Sequence, residues 1–168
     1  SGPEGNHGED VKEEYLYVDG VPSGAYLKAL YKYPRKAFPY DDLVATNAAR
    51  TREEPEYELR DTGAFDEGYF DVSVTYAKAG PDDILVELSI RNRSDEEAKV
   101  HALPQLWWRN TWSWGCEGEG YWPRGVIREA GARRMLADGA DLPQMEFAIE
   151  DFTYGDGREL CAGLFTEN

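Results

Sequence analysis

Four of the five tryptophans of this chain lie within residues 107–115, interleaved with polar side chains that can form hydrogen bonds. The segment reads Trp107-Trp108-Arg109-Asn110-Thr111-Trp112-Ser113-Trp114-Gly115. Indole rings grouped in this way either fill a core, where each N–H finds an acceptor, or form a wall for a sugar. A pyranose has an apolar C–H face that stacks on an indole, and its hydroxyls suit the donors and acceptors of Arg, Asn and Ser. Both interpretations stay open, with burial the commoner outcome for aromatic side chains.

The order of residues in this segment divides the tryptophans into two pairs. Trp107 and Trp108 follow an apolar run and are interpreted as the structural end of a strand. Trp112 and Trp114 are spaced by two, which places both on one side of an extended chain. We therefore predict that Trp112 and Trp114 bind substrate, with Arg109 and Asn110 hydrogen-bonding sugar hydroxyls.

A second polar group lies in the glycine-rich segment 1–12, where His7, Glu9 and Asp10 stand between glycines. Glycines permit positive φ and let polar groups approach a ligand closely, so these three residues are further candidates for the same sugar site. The alternative is an irregular loop whose side chains satisfy one another. A lone histidine beside acids does not indicate a zinc site, so no metal ligand and no cofactor is predicted.

The elements that must position these residues are mostly strands. Apolar and polar residues alternate with a period of two over 70–77 and 84–91, which predicts an antiparallel hairpin, and a third strand is predicted over 98–108. Further strands are predicted at 14–18, 57–61, 127–137 with a break at Gly131, 144–149, 152–154 and 160–165. Helical spacing of apolar residues predicts a helix over 23–32, and a second is predicted over 39–50, with Asp41 and Asp42 in its first turn.

The predicted fold class is therefore mainly β, an antiparallel β-sandwich with one or two short helices near the N-terminus. Residues 1–168 are predicted to form a single domain. Within it, residues 1–56 are expected to be an irregular or helical lead-in, and residues 57–168 to hold the antiparallel strands.

Composition excludes several classes of function. The 168 residues include 33 acids against 18 Lys and Arg, a formal net charge of −15. This charge argues against binding to nucleic acid, which requires a basic surface, and against attraction to anionic membranes. The sequence contains no run of eighteen apolar residues that would indicate a membrane span and no signal peptide, so a cytoplasmic location is expected. Its two cysteines, Cys116 and Cys161, match no zinc spacing and are expected to be free thiols, with one bridge as the alternative.

Several long motifs occur in one order along the chain and resemble bacterial proteins similar to glycoside hydrolase family 63. The motifs are Gly5-Asn6-His7-Gly8-Glu9-Asp10-Val11-Lys12-Glu13, Tyr31-Lys32-Tyr33-Pro34, Phe38-Pro39-Tyr40, Glu54-Pro55-Glu56-Tyr57-Glu58-Leu59, Asp61-Thr62-Gly63, Phe65-Asp66, Tyr69-Phe70-Asp71-Val72, Tyr76-Ala77-Lys78-Ala79, Trp108-Arg109-Asn110-Thr111-Trp112-Ser113-Trp114-Gly115 and Leu164-Phe165-Thr166-Glu167-Asn168. The resemblance covers nearly the whole chain and is weakest over residues 117–156.

The resemblance implies a two-part α-glucosidase of the mannosyl-oligosaccharide glucosidase type. In that family a β-sandwich domain precedes an (α/α)6 barrel, which carries the acid and the base that hydrolyse the bond with inversion; such a pair stands about 6.5–9.5 Å apart. This chain resembles the sandwich portion only, so no catalytic residue is carried over and the chain is expected to be inactive alone.

Three hypotheses follow. The first is a non-catalytic sandwich region that supports the barrel and walls the sugar site, with self-association through exposed strand edges as a further expectation. The alternative is a stand-alone carbohydrate-binding module that uses residues 107–114. The third, a small complete hydrolase, has the least support because nothing in the sequence marks two carboxylates with separated pKa values.

Overall fold

Seven β-strands, one α-helix and two 3-10 helices make up the regular structure of residues 14–139, 142–150 and 163–166, the parts of the chain that the computed structural model describes. The chain divides into two compact units, Ser1–Val100 and His101–Asn168. The regular structure is mainly β, and both sheets are antiparallel. The predicted mainly-β antiparallel fold class is confirmed, and the union of both units in one domain stays a prediction.

The first unit contains a four-stranded sheet in the order β1-β2-β3-β4. Its strands are β1 (Glu14–Gly20), β2 (Tyr26–Pro34), β3 (Tyr69–Gly80) and β4 (Asp83–Asn92). The alternation that predicted the β3–β4 hairpin has its cause in the pleat, because successive side chains point to opposite faces. Val72 pairs with Ile90 and Val74 with Leu88, so the apolar residues of both strands share one face.

That face is apolar across all four strands. The registers of the three strand pairs place on it Tyr15, Tyr17, Leu27, Ala29, Tyr31, Tyr33, Phe70, Val72, Val74, Tyr76, Lys78, Ile84, Val86, Leu88, Ile90 and Asn92. We call these residues the apolar face. The opposite, mixed face carries the strand charges Glu14, Asp19, Lys28, Lys32, Asp71, Glu87 and Arg91 beside serines, Thr75 and a few apolar residues.

A small core of the first unit forms around the helix α1 (Tyr40–Ala49) and the 3-10 helix Leu59–Thr62. Leu43, Leu59 and Ala64 are at most 3% exposed. The side chain of Asn47 holds the two segments together: its amide nitrogen donates to the Tyr57 carbonyl at 2.9 Å, and its oxygen accepts from the Tyr57 N–H at 2.8 Å. Apolar burial and these reciprocal bonds fix the helix without a side-chain cap at its N-terminus.

The second unit contains a three-stranded antiparallel sheet and the 3-10 helix Trp112–Trp114. The strands are β5 (Val126–Glu129), β6 (Arg134–Asp138) and β7 (Met145–Ala148), in that order. The predicted break at Gly131 is confirmed as the turn between β5 and β6, where Gly131 has a φ of 118°. The strand predicted over 144–149 is confirmed as β7.

Several sequence predictions are wrong in this fold. Residues 23–32 form no helix, because β2 is hydrogen-bonded to β1 on one side and to β3 on the other; the lead-in 1–56 thus contains two strands. Residues 57–61 are not a strand, because reciprocal bonds between Glu58 and Asp61 cap the 3-10 helix. Residues 98–108 have no regular strand. The strand predicted over 152–154 lies outside the described residues, and residues 163–166 are not in a strand. None of the helices in the described ranges has the length and hydrophobicity needed to cross a membrane.

Candidate functional site

An arginine and a tyrosine of the second unit lie beside the ring of Trp114, and all three residues are exposed. Trp114 is 54% exposed and Tyr121 is 37% exposed, and their ring centroids lie 6.0 Å apart at an interplanar angle of 73°. The guanidinium carbon of Arg109 lies 5.6 Å from the Trp114 ring centroid, within cation–π range. We call Arg109, Trp114 and Tyr121 the aromatic cluster. It combines an apolar ring surface with hydrogen-bond donors at its rim, which is the chemistry of a sugar platform.

The local backbone of the cluster is a turn rather than a strand. Trp112–Trp114 is a 3-10 helix, in which the Trp114 N–H donates to the Thr111 carbonyl at 3.3 Å. Gly115 ends it with a φ of 67°, a conformation that glycine adopts without strain. With three residues per turn, residues two apart do not share a side. The prediction that Trp112 and Trp114 lie on the same side of an extended chain is therefore wrong.

Thr111 brings the two ends of the cluster together. Its side chain is fully buried at 0% exposure, and its Oγ1 accepts a hydrogen bond from the Trp122 backbone N–H at 3.0 Å. This bond joins the turn at 109–114 to the glycine-rich loop that follows and places Tyr121 beside Trp114. The contact was missed from the sequence, where the adjacent Tyr121-Trp122 inside a glycine-rich loop was the available signal.

The remaining tryptophans divide between packing and exposure. Trp107 is 69% exposed, Trp122 is 39% exposed and Trp112 is half-buried. The Trp108 ring packs against two glycines: a Cβ added at Gly125 or Gly139 would stand 2.6 or 2.5 Å from it. The Trp108 Nε1 is buried and has no hydrogen-bond partner among the residues that the structure describes. The structural interpretation therefore fits Trp108 and does not fit Trp107.

The polar candidates have different surroundings. Asn110 is half-buried, and its Oδ1 accepts from the Ser113 backbone N–H at 3.3 Å, so this oxygen caps the turn. Arg109 is exposed; within the described ranges its guanidinium takes part in no hydrogen bond or ion pair and contacts the Trp114 ring. Its N–H groups are thus available to a ligand. His7, Glu9 and Asp10 lie outside the described residues.

A polar groove of about 610 Å³ opens in the first unit. It is lined by Arg35, Phe65, Asp66, Glu67, Gly68, Arg93, Ser94, Asp95 and Glu96. Arg35 donates to the Ser94 hydroxyl at 3.0 Å and to the Glu67 carbonyl at 3.3 Å, and it lies 3.5 Å from a carboxylate oxygen of Glu96. Because its guanidinium is already engaged by protein groups, we interpret the groove as paired polar surface. Among the described residues no group of three or more His, Cys, Asp or Glu side chains could hold a metal ion.

An ionic network lies beside the groove. The Asp71 carboxylate accepts from Lys32 Nζ at 3.1 Å and from Arg93 Nε at 2.5 Å, with its side chain 12% exposed. Burial alone would raise the pKa of Asp71, but the hydrogen bonds from Arg93 and Lys32 lower it below its ordinary value. Burial would likewise lower the pKa of Lys32, whereas the bonds with Asp71 and Tyr69 raise it. The network holds β2, β3 and the segment after β4 together.

A yeast protein is similar in sequence to this chain. The Saccharomyces cerevisiae "Uncharacterized protein YMR196W" is 46% identical over 124 residues, which cover 67% of this chain and 11% of the relative. The chain thus spans about a tenth of the length of the curated relative it matches. No protein-family model and no solved structure matches the chain.

Proposed function

We propose that this chain is the non-catalytic β-sandwich region of a family 63-like inverting α-glucosidase, that it supports the catalytic barrel, and that it walls the sugar site. The aromatic cluster is the observation that carries the proposal. Trp114 and Tyr121 offer ring surface to the C–H face of a glucose unit, and the exposed Arg109 guanidinium offers donors to its hydroxyls. The motifs that carry the resemblance point to this family, and the much longer yeast relative is compatible with a role as one part of a larger protein.

The role of each residue follows from its surroundings. Trp114 is the stacking ring, because Arg109 and Tyr121 hold it while about half of its surface faces solvent. Tyr121 contributes its ring and hydroxyl at the side of the platform. Asn110 positions the turn through Ser113 and keeps its amide N–H groups for a sugar. Trp112 is half-buried and contributes a smaller surface.

A titration of tryptophan fluorescence tests the sugar role. All five tryptophans lie in residues 107–122, so the signal reports on the second unit. We expect saturable change with maltose and nigerose, and a loss of at least fivefold in affinity for Trp114→Ala. Trp107→Ala is the matched control, because Trp107 is more exposed than Trp114 and lies outside the cluster; its affinity should equal that of the wild type. An equal loss in both variants would contradict the assignment to Trp114.

A stand-alone carbohydrate-binding module is the second candidate, because the aromatic cluster is built entirely within residues 109–121 of one unit. A module predicts millimolar or tighter affinity in the free chain, about −4 kcal/mol or better. A wall completed by the barrel predicts weaker binding in the free chain. No saturable change up to about 10 mM sugar, ten times a millimolar dissociation constant, would exclude the stand-alone module. Structural support would then be the remaining role.

Self-association and a cytoplasmic location are further parts of this proposal. β1 and β4 are the edge strands of the four-stranded sheet, and edge strands are where the sheets of two chains can pair. A cytoplasmic location is tested by fractionation of cells that express the protein.

A further inference from the structure

We infer that the apolar face of the four-stranded sheet is an interface on which a second copy of this chain packs face to face. Eight large side chains of this face are between 43% and 95% exposed. They belong to all four strands, from Tyr17 on β1 to Leu88 on β4. Contiguous apolar surface of this extent marks an interaction site on a soluble protein.

The area of the face suits a stable dimer. A large aromatic side chain buries about 150–250 Å², so eight large side chains at about half exposure present on the order of 800 Å². A standard protein interface buries about 800 Å² on each partner. Two copies packed through this face would therefore reach the usual size without help from another surface.

The distribution of charge favours this face for contact between two copies of an acidic chain. Lys78 is the one ionisable Lys, Arg, Asp or Glu among the residues of the apolar face, whereas Asp71, Glu87 and Arg91 lie on the mixed face. Sheets packed face to face lie about 10 Å apart, which puts the two mixed faces outward and about 20 Å from each other. The Debye length at physiological salt is about 8 Å, so repulsion between them is screened.

The two halves of the face complement each other. The β1–β2 half carries Tyr15, Tyr17, Tyr31 and Tyr33, and β4 carries Ile84, Val86, Leu88 and Ile90. Tyr17 and Leu88 share one cross-strand row through Ala29 and Val74. A two-fold axis parallel to the strands therefore sets Tyr17 against Leu88 of the second copy, so that tyrosine rings pack on branched aliphatic side chains at both ends. Such an isologous contact closes at two copies.

The inference is independent of the proposed sugar site and is tested on the whole chain. Sedimentation velocity over about 1–200 µM, spanning the micromolar affinities common for interfaces of this size, should show conversion to twice the 19.0 kDa mass. Leu88→Lys should shift the dissociation constant at least tenfold. Ser89→Lys is the matched control, because Ser89 is the next residue on the same edge strand but lies on the mixed face, and it should dimerise like the wild type. Circular dichroism checks that each variant is folded.

Two measurements keep the inference testable if Leu88→Lys fails to fold. The binding of the dye ANS per chain should fall as the wild type dimerises, because the face becomes covered; pairing through strand edges would leave it exposed. Tyr17→Lys and Leu88→Glu should each be monomeric and should form a 1:1 dimer when mixed. A wild-type monomer throughout, a dimer with undiminished ANS binding, or equal effects of Leu88→Lys and Ser89→Lys would overturn the inference. A dimer that still binds ANS would indicate pairing through strand edges, and a monomer would leave the face to another part of a longer protein.

Discussion

The guanidinium carbon of Arg109 lies 5.6 Å from the centroid of the Trp114 ring. This contact brings together two of the residues predicted from the sequence to bind sugar. It also restrains the ring. The contact is notable because the chain has 33 acidic residues against 18 Lys and Arg, with which an arginine could pair instead. An arginine that contacts an aromatic ring rather than a carboxylate keeps its N–H groups available to a ligand.

Replacement of Arg109 should separate its two contributions to sugar binding, which are the contact with the Trp114 ring and the hydrogen bonds of its guanidinium. An exposed cation–π contact contributes about 0.5–1 kcal/mol, so Arg109→Ala should weaken maltose binding by about two- to fivefold through a looser ring and should lose the hydrogen bonds as well. Arg109→Lys retains the charge but not the planar fork of donors and should recover only part of the affinity. Isothermal titration calorimetry measures the affinity of both variants for maltose. Full recovery by lysine would show that charge alone matters.

Thr111→Val should destabilise the second unit. The substitution keeps the shape of the side chain but removes the buried oxygen that accepts from the Trp122 N–H, and an unsatisfied buried donor costs about 1–3 kcal/mol. Urea unfolding followed by tryptophan fluorescence measures the loss. Thr111→Ser keeps the hydroxyl and should lose less. A loss in Thr111→Ser as large as that in Thr111→Val would contradict the prediction that the buried hydroxyl makes the larger contribution.

A methyl group at Gly125 should also lower the free energy of unfolding. Its Cβ would stand 2.6 Å from the Trp108 ring, and overpacking of this kind costs about 1–3 kcal/mol. Gly125→Ala combined with Trp108→Phe should be less destabilised than the sum of the single variants. The smaller ring gives room, and it removes the Nε1 for which the described part of the chain offers no hydrogen-bond partner. A double-mutant cycle measures this coupling. Strict additivity would contradict the contact.

Asp71→Asn should destabilise the first unit in a pH-dependent manner. The folded pKa of Asp71 is held below its ordinary value, so its ionised form stabilises the fold above the unfolded pKa of about 3.9, and that stabilisation is lost as the pH falls through the folded pKa. We expect a loss of about 1 kcal/mol near neutral pH, below the usual range for a charged hydrogen bond because Arg93 is 43% exposed. Urea unfolding followed by circular dichroism should show the difference from wild type shrinking below about pH 4. A constant difference would exclude the ionic network as its cause.

The sequence predicted the parts of the fold in which local pattern and tertiary environment agree. The alternation over 70–77 and 84–91 predicted β3 and β4, because one face of the hairpin carries the apolar residues. The prediction failed over 23–32, where Leu27 and Tyr31 satisfy both a period of 3.6 and a period of two. The choice there depends on hydrogen bonds to β1 and to β3, and the second of these partners is distant in the chain.

For the candidate site, the residue types alone led to the prediction that Trp114 and Arg109 bind a sugar. The tertiary structure decided that the turn is a 3-10 helix, that Trp108 packs against Gly125 and Gly139, and that Tyr121 stands beside Trp114. The physical reason is that the buried Thr111 hydroxyl selects one closure of the glycine-rich loop. No local sequence pattern predicts a hydrogen bond between residues eleven apart in the chain. The chemistry of an aromatic ring, in contrast, is a property of the single residue and can be read from the sequence.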